Sequence, residues 1–135
     1  MAGMTYTAQA QVDLSTAEIY GRVLTELAAE HEDIVGLSAD LAKSTKIGLL
    51  GDKFPERFFN VGIAEQDMMG IAAGLASAGF TPFVSTFAAF ASMRACEQVR
   101  TDICYNQKNV KIIATHTGTS FGQAGTTHHL SLIHI

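Results

Sequence analysis

Charged residues are scarce in this chain of 135 residues, and tryptophan is absent from it. Only 16% of the residues are charged while 47% are hydrophobic, and the formal net charge is −4. A disordered chain would be poorer in hydrophobic residues and richer in charge. The slight acidic excess also provides no basic surface for a nucleic acid or an anionic membrane. The composition therefore predicts one folded domain with a buried core.

Cysteine is represented by Cys96 and Cys104 alone. Two cysteines eight positions apart, with no second pair, match neither a zinc site nor a disulfide framework. The pattern is typical of two buried, reduced thiols, which favours a cytoplasmic protein.

Long uninterrupted hydrophobic runs are also lacking. The most apolar stretch, residues 71–91, is interrupted by Gly74, Gly79 and Pro82, so we do not expect it to span a membrane. The N-terminus has no basic start followed by an apolar run, and we therefore expect no signal peptide.

Helix-like and strand-like segments alternate along the chain. Ser15 and Glu18 have the spacing of a capping box, which predicts a helix that ends near His31. Glu65 is expected to open a second helix, which Gly79 stops. The other predicted elements are strands at 33–38, 57–61, 83–86 and 110–115, a polar loop at 43–53, a helix at 88–105 and a glycine-rich loop at 117–127.

Strands that alternate with helices are typical of βαβ units. We therefore predict an α/β fold with a mainly parallel sheet and helices on both faces. Ligands of such sheets bind beyond the carboxyl ends of the strands. The loops after Val61, Thr86 and Thr115 are accordingly the expected places for chemistry.

A carboxylate stands at the mouth of the predicted sheet. Residues 58–69 read as a strand, a tight turn at Gly62 and a helix that starts at Glu65. A carboxylate held rigidly at this point suits catalysis. A first-turn glutamate is also favoured by the helix dipole alone, and the local pattern by itself favours this structural role.

Several short segments together resemble the pyrimidine-binding domain of the transketolase family. They are Gly-Ile-Ala-Glu-Gln at 62–66, Thr-Phe-Ala-Ala-Phe at 86–90, Asp40, Thr115-His116 and Gly-Thr-Thr-His at 125–128. Their order and spacing are similar to those of the family over residues 13–129. The resemblance implies an α/β domain that is incomplete at its C-terminal end, and thiamine diphosphate as the cofactor.

The resemblance implies a catalytic role for Glu65, whose carboxylate would hydrogen-bond N1′ of the cofactor's aminopyrimidine and so promote activation of the cofactor. Phe87 and Phe90 correspond to aromatic residues that pack around the pyrimidine ring. Two phenylalanines at helical spacing are otherwise typical of core packing. Met93 stands where many relatives have an aromatic residue, and its thioether can pack against the same ring.

Further positions imply contacts with cofactor and substrate. By resemblance, Asp40 and Leu41 lie near the cofactor, and Ser44 contacts the substrate phosphate. Its position alone would make Asp40 a turn or cap residue. His116 and His128 correspond to catalytic histidines that bind substrate oxygens and shuttle protons. We expect no metal site in this chain, because no carboxylate or cysteine lies near the paired histidines in sequence.

Two alanines depart from the family pattern. Ala17 stands where sugar-phosphate transketolases usually have an arginine, the side chain suited to bidentate phosphate recognition. Ala124 stands where the glycine-rich loop usually has an aspartate that contacts a substrate hydroxyl. We therefore expect intact cofactor chemistry but substrate contacts that differ from those made to the standard pentose phosphates.

The expected domain covers residues 13–129 and follows an N-terminal extension of residues 1–12. We expect residues 130–135 to be a non-native tail, because Leu-Ser-Leu-Ile-His-Ile can be encoded by the end of a common sequencing adapter. The family binds the diphosphate and its Mg²⁺ or Ca²⁺ through a second domain with a Gly-Asp-Gly…Asn pattern, which this chain lacks. Since Met1 lies shortly before the domain, we expect a split enzyme with an N-terminal diphosphate-binding subunit, in a dimer or heterotetramer.

The implied function is the transfer of a two-carbon ketol unit between a ketose and an aldose in the pentose phosphate pathway. 1-Deoxyxylulose-5-phosphate synthase and the β subunits of 2-oxo acid dehydrogenases share the glutamate and the fold, so they remain alternatives. The pair of histidines and the pair of phenylalanines favour transketolase over both. A non-catalytic α/β assembly module, with Glu65 as a cap and both phenylalanines in the core, is a third alternative.

Overall fold

The structure, a computed structural model, describes residues 15–130 and shows helices and strands in alternation. The expected N-terminal extension 1–12 and residues 131–135 of the expected tail lie outside this range. The helices are α1 (Thr16–Glu30), α2 (Ala42–Thr45), α3 (Gly48–Lys53), α4 (Glu65–Ser77) and α5 (Cys96–Gln98), with π-helical segments at Phe90–Arg94 and Val99–Tyr105 and 3₁₀ turns at Pro55–Arg57 and Gly122–Ala124. The strands are β1 (Ile34–Ser38), β2 (Phe58–Asn60), β3 (Thr81–Phe87) and β4 (Lys111–Thr115).

The four strands form one sheet in the order β2-β1-β3-β4, and every neighbouring pair is parallel. The inner strand β1 pairs through Ser38 with Asn60 of β2 and with Ser85 of β3. The predicted parallel α/β sheet is thereby confirmed for the described residues. The chain leaves β1 toward β2 at one edge of the sheet and leaves β3 toward β4 at the other edge. The loops after β1 and β3 therefore diverge and open a crevice at the carboxyl ends of these strands.

Helices cover both faces of the sheet because successive side chains of β1 point to opposite faces. Val35 and Leu37 belong to a core cluster with Met68 of α4. Ile34 belongs to a second cluster with Leu24 of α1. Packing on both faces fixes the strands, so the strand ends are rigid points from which a site can be built.

Helix α1 begins at the predicted capping box. Ser15 Oγ accepts a hydrogen bond from the Glu18 backbone N–H at 3.2 Å, and a Glu18 carboxylate oxygen accepts one from the Ser15 N–H at 3.3 Å. Leu24 and Ala28 lie on its buried side. At 15 residues α1 is the longest helix that the structure describes. No helix within residues 15–130 has the length and hydropathy of a transmembrane segment.

Two segments differ from the predictions. The expected loop at 43–53 contains α2 and α3, because Ile47 and Leu50 are fully buried in the core cluster of α1 and draw this segment onto the domain. The helix predicted at 88–105 is present but widened, as in the hydrogen bond of 3.1 Å from the Ala95 N–H to the Phe90 carbonyl. Such a bond spans five residues, which is the π-helical pattern.

The prediction that both cysteines are buried is wrong. Cys96 and Cys104 are exposed, and both are free. Their segment packs through Ala95 and Ile103, which are 0% and 5% exposed and belong to the core cluster of α4. Each cysteine directly follows one of these residues, and adjacent residues of a helix do not share a face. The two thiols therefore point away from the core.

Tyr20 ties α1 to the sheet through a hydrogen bond. Its hydroxyl lies 2.7 Å from Ser85 Oγ, and Ser85 is fully buried in β3. Burial raises the pKa of Tyr20 from 10.0 to about 12, although the hydrogen bond with Ser85 acts in the opposite direction. The neutral phenol therefore stabilises the fold fully below pH 10, and this contribution is lost as the pH rises through about 12.

The Tyr20→Phe variant tests this connection. It leaves the Ser85 hydroxyl without its Tyr20 partner, so we expect the free energy of unfolding at neutral pH to fall by about 1–3 kcal/mol. Between pH 10 and about 12 only the wild type loses stability through this phenol, and the two proteins should converge. Urea unfolding of the complete protein across this range measures the difference. A difference that stays constant with pH would contradict the role given to Tyr20.

Candidate active site

Side chains from all four strand ends meet at the carboxyl edge of the sheet. Asp40 follows β1, Glu65 begins the helix after β2, Phe87 ends β3 and His116 follows β4. Because the strands are parallel, these ends lie side by side along one edge. The topology therefore collects residues that are far apart in sequence into one candidate site.

Glu65 is the buried carboxylate of this site, with 1% of its surface exposed. Its Oε2 accepts a hydrogen bond from Arg94 Nη1 at 2.7 Å, and its Oε1 accepts one from Thr86 Oγ1 at 3.5 Å. A buried charge is costly unless it is paired, and Arg94 supplies the opposite charge. A solvent-facing first-turn glutamate needs no such partners, so the structure distinguishes Glu65 from an ordinary helix-start residue.

Arg94 covers the carboxylate and also packs on an aromatic ring. Its guanidinium carbon lies 4.2 Å from the ring centroid of Phe90, a cation–π arrangement. Both residues belong to the π-helical segment after β3, four positions apart. The Arg94 side chain is 46% exposed, so the ion pair with Glu65 reaches from the core to the solvent.

Aromatic rings cluster at the end of β3 around Phe87, which is 3% exposed. The Phe87 ring centroid lies 4.6 Å from that of His116 and 4.8 Å from that of Phe121. Phe90 lies 5.9 Å from Phe87 and 5.1 Å from His128. Tilted and edge-on contacts of this kind are typical of aromatic pairs. The two phenylalanines and two histidines singled out in the sequence are thus brought together.

Each of these histidines is held by the threonine that precedes it. Thr115 Oγ1 lies 2.8 Å from His116 Nδ1, and Thr127 Oγ1 lies 2.8 Å from His128 Nδ1. This contact engages Nδ1, so Nε2 is the ring nitrogen left for a further contact. Among residues 15–130, no group of three His, Cys, Asp or Glu side chains could hold a metal ion.

A hydrogen-bonded clamp joins the loops after β1 and β2. Asn60 Oδ1 accepts hydrogen bonds from the N–H groups of Asp40, at 2.9 Å, and Gly62, at 3.2 Å. Both of these residues have a positive φ, 61° at Asp40 and 76° at Gly62, and the clamp holds them in that conformation. Leu41 is fixed separately, because its N–H donates to Ser38 Oγ at 3.1 Å.

A cavity of about 610 Å³ lies beside the loop that carries His116. Ser44 and Lys46 line it from the segment after β1, and Ala17 lines it from the start of α1. Its size lies within the usual range for small-molecule sites. The structure therefore places Ser44 and His116, two predicted substrate contacts, on one cavity.

Residues 12–131 match the family described as transketolase, pyrimidine binding domain. The chain belongs to this family. It is 49% identical over 111 residues to the putative transketolase C-terminal section of Methanocaldococcus jannaschii, a match that covers 82% of this chain and 35% of that protein. It is 43% identical over 106 residues to one of the subunits of the apulose-4-phosphate transketolase of Phocaeicola vulgatus, over 78% of this chain and 34% of that protein.

The pyrimidine-binding domain is also similar to a solved structure described as split gene transketolase, inactive beta4 tetramer. The TM-score is 0.71 and the identity 57%, over 78% of this chain and 35% of that chain. The chain thus spans about a third of the length of these relatives.

The transketolase family implies thiamine diphosphate, and the side chains of this pyrimidine-binding domain fit its aminopyrimidine. Such a ring has flat faces and a polar edge. Phe87 and Phe90 form an aromatic cluster against which a ring face could pack, and the buried carboxyl group of Glu65 could share a proton with a ring nitrogen at the edge. These features together suit a flat, nitrogen-bearing ring.

Some residues lie apart from this arrangement, and others were missed in the sequence. Met93 is 63% exposed and is not buried among the aromatic rings. Phe121 and Arg94 belong to the site but were not predicted. Two features of the sequence could have indicated them. Phe121 is an aromatic residue within the glycine-rich loop, and Arg94 is the only charged residue in the otherwise uncharged stretch 81–95.

Proposed function

We propose that this chain forms the pyrimidine-binding half of a thiamine-diphosphate site in an enzyme that transfers a two-carbon ketol unit from a ketose to an aldose. The buried carboxylate of Glu65 among aromatic side chains is the observation that carries this proposal. When bound, thiamine diphosphate supplies the electron sink that allows a carbon–carbon bond to break and form. The reaction would belong to cytoplasmic carbohydrate metabolism, in the pentose phosphate pathway.

On this proposal the residues around β3 hold and polarise the aminopyrimidine. Glu65 hydrogen-bonds N1′ of the ring, and buried Thr86 keeps the carboxylate in place. Phe90 and Phe87 would pack against the ring, and the thioether of Met93 would add to the same surface.

The loops after β1 and β4 serve cofactor and substrate. Asp40 and Leu41, each fixed by a hydrogen bond at the backbone N–H, line the cofactor side. His116 and His128 bind substrate oxygens and move protons through Nε2. Ser44 contacts the phosphate of the sugar substrate from the cavity that it shares with His116.

Sugar phosphates are the substrate class that this cavity favours. Lys46 brings a cation to the same cavity as Ser44, which suits an anionic group. Its Nζ lies 3.7 Å from a Glu18 carboxylate oxygen, and both side chains are partly exposed, so a phosphate would compete with Glu18 for this cation. One relative is named as a transketolase subunit for apulose-4-phosphate. Ala17 also lines the cavity but offers no hydrogen bond, so the substrate contacts differ from those that an arginine would make.

A partner subunit completes the proposed enzyme. It would bind the diphosphate and its Mg²⁺ or Ca²⁺, in a dimer or heterotetramer. Two relatives are named as a section and as a subunit of a transketolase, and a third is described as a split gene enzyme. These names support an N-terminal diphosphate-binding subunit as the partner.

Binding and turnover of the complete protein, produced together with the diphosphate-binding subunit, test this function. We expect calorimetry to detect thiamine diphosphate binding in the presence of Mg²⁺, and we expect ketol transfer to a phosphorylated aldose. Consumption of pyruvate with an aldose phosphate, without ketol transfer, would identify the synthase alternative. An assembly that binds no thiamine diphosphate would contradict the proposal.

A further inference from the structure

Arg94 makes the two contacts that a flat nitrogen heterocycle would make in this site. Its Nη1 donates to Glu65 Oε2 at 2.7 Å, and its guanidinium carbon lies 4.2 Å from the centroid of Phe90. A guanidinium is planar and carries N–H donors along its edge. The edge thus meets the carboxylate while the group lies over an aromatic ring. An aminopyrimidine held by Glu65 and Phe90 needs the same oxygen and the same ring.

The burial of the two partners shows from which side Glu65 can be reached. The Glu65 side chain is 1% exposed, whereas that of Arg94 is 46% exposed. On its other side Glu65 faces the buried hydroxyl of Thr86. Arg94 therefore lies on the solvent side of the carboxylate, and a ligand that approaches Glu65 from solvent meets the guanidinium first.

We propose that Arg94 is a displaceable positioning residue, which holds the Glu65 carboxylate until the aminopyrimidine takes its place. This inference rests on the function proposed above. The Arg94 side chain can itself move away readily, because it is already 46% exposed and its charge would be solvated by water. The Glu65 carboxylate cannot remain charged and unpaired at this depth. The exchange therefore completes only when a proton taken up from solvent is shared between Glu65 and N1′ of the incoming ring.

Displacement has a consequence for cofactor affinity. When only a fraction of the protein is in the conformation that can bind a ligand, the apparent affinity equals the intrinsic affinity multiplied by that fraction. Removal of the guanidinium should therefore tighten cofactor binding. Removal of a permanent counterion would not tighten binding, since it would destabilise the cofactor-free and cofactor-bound forms alike or the bound form more.

The test compares Arg94→Gln and Arg94→Lys in the complete protein assembled with the diphosphate-binding subunit. Arg100→Gln is the matched control, because Arg100 forms an ion pair of 2.8 Å with Glu97 in the same segment but both side chains are exposed. The measured quantities are the dissociation constant of thiamine diphosphate and the melting temperature with and without it. Neither quantity depends on turnover.

We expect Arg94→Gln to bind thiamine diphosphate about tenfold more tightly than the wild type. Its melting temperature should fall without the cofactor and stay close to the wild-type value with it. Arg94→Lys, which keeps one charge but loses the planar fork, should lie between the two. Arg100→Gln should change neither the dissociation constant nor the difference between the two melting temperatures.

Two outcomes would overturn the inference, and they differ in what else they affect. If the wild type binds the cofactor but Arg94→Gln binds it equally or more weakly, Arg94 is a fixed counterion and the proposed function still stands. If the wild-type assembly binds no thiamine diphosphate, the proposed function fails and the role of Arg94 fails with it.

Discussion

Turnover of the assembled enzyme is expected to fall by a factor of about 10²–10⁴ when Glu65 is replaced by glutamine. The amide lacks the carboxylate's ability to share a proton with N1′ of the aminopyrimidine. It keeps the length of the side chain, and its carbonyl oxygen can still accept a hydrogen bond from Arg94 or Thr86. We therefore expect the variant to fold and to lose catalysis much more than stability.

Glu97→Gln is the matched control for this substitution. Glu97 is also paired with an arginine, since its two oxygens accept hydrogen bonds from Arg100 at 2.8 and 3.0 Å, but it is exposed. Loss of an exposed ion pair has little effect, so its turnover should stay within about twofold of the wild type. Steady-state kinetics with far-UV circular dichroism measure both variants. Near-normal turnover of Glu65→Gln would show that this carboxylate has no catalytic role.

The Gly21→Ala variant is expected to unfold at a clearly lower temperature than the wild type. A Cβ at residue 21 would lie 2.4 Å from the backbone oxygen of Lys46 and 2.9 Å from Leu49 Cδ1. Backbone cannot move aside as a side-chain tip can, so α1 must shift away from α3. Overpacking of this kind lowers the free energy of unfolding by about 1–3 kcal/mol. The shift would also displace Lys46 from the cavity beside His116.

For Gly74→Ala we expect the opposite effect, a higher free energy of unfolding. Gly74 lies inside α4, and a Cβ there would have no neighbour within 4 Å. Since alanine loses less backbone entropy than glycine in a helix, we expect a gain of about 0.5–1 kcal/mol. Thermal unfolding of the complete protein compares the two variants. Equal melting temperatures for Gly21→Ala and Gly74→Ala would mean that α1 does not pack as tightly as the structure shows.

Local patterns were sufficient for the elements that depend on near neighbours. The capping box of Ser15 and Glu18 begins α1 as predicted, because its hydrogen bonds join residues three apart. Glu65 begins α4, and alternation of helices and strands predicts the parallel sheet. The catalytic role proposed for Glu65 could not be inferred in this way, since the local pattern favoured a simple helix start and only the family resemblance indicated a catalytic carboxylate.

Motif spacing and hydrophobic patterning were enough to predict the fold class, the strand ends at which the candidate site lies and most of the residues that meet there. Which of these side chains touch became visible only in the folded domain. Arg94 lies 29 positions after Glu65, and their ion pair depends on how the π-helical segment packs beside α4. The exposure of Cys96 depends on the same packing. Periodicity and composition report that a segment is helical and partly buried, but the side that faces the core is set by contacts between segments distant in sequence.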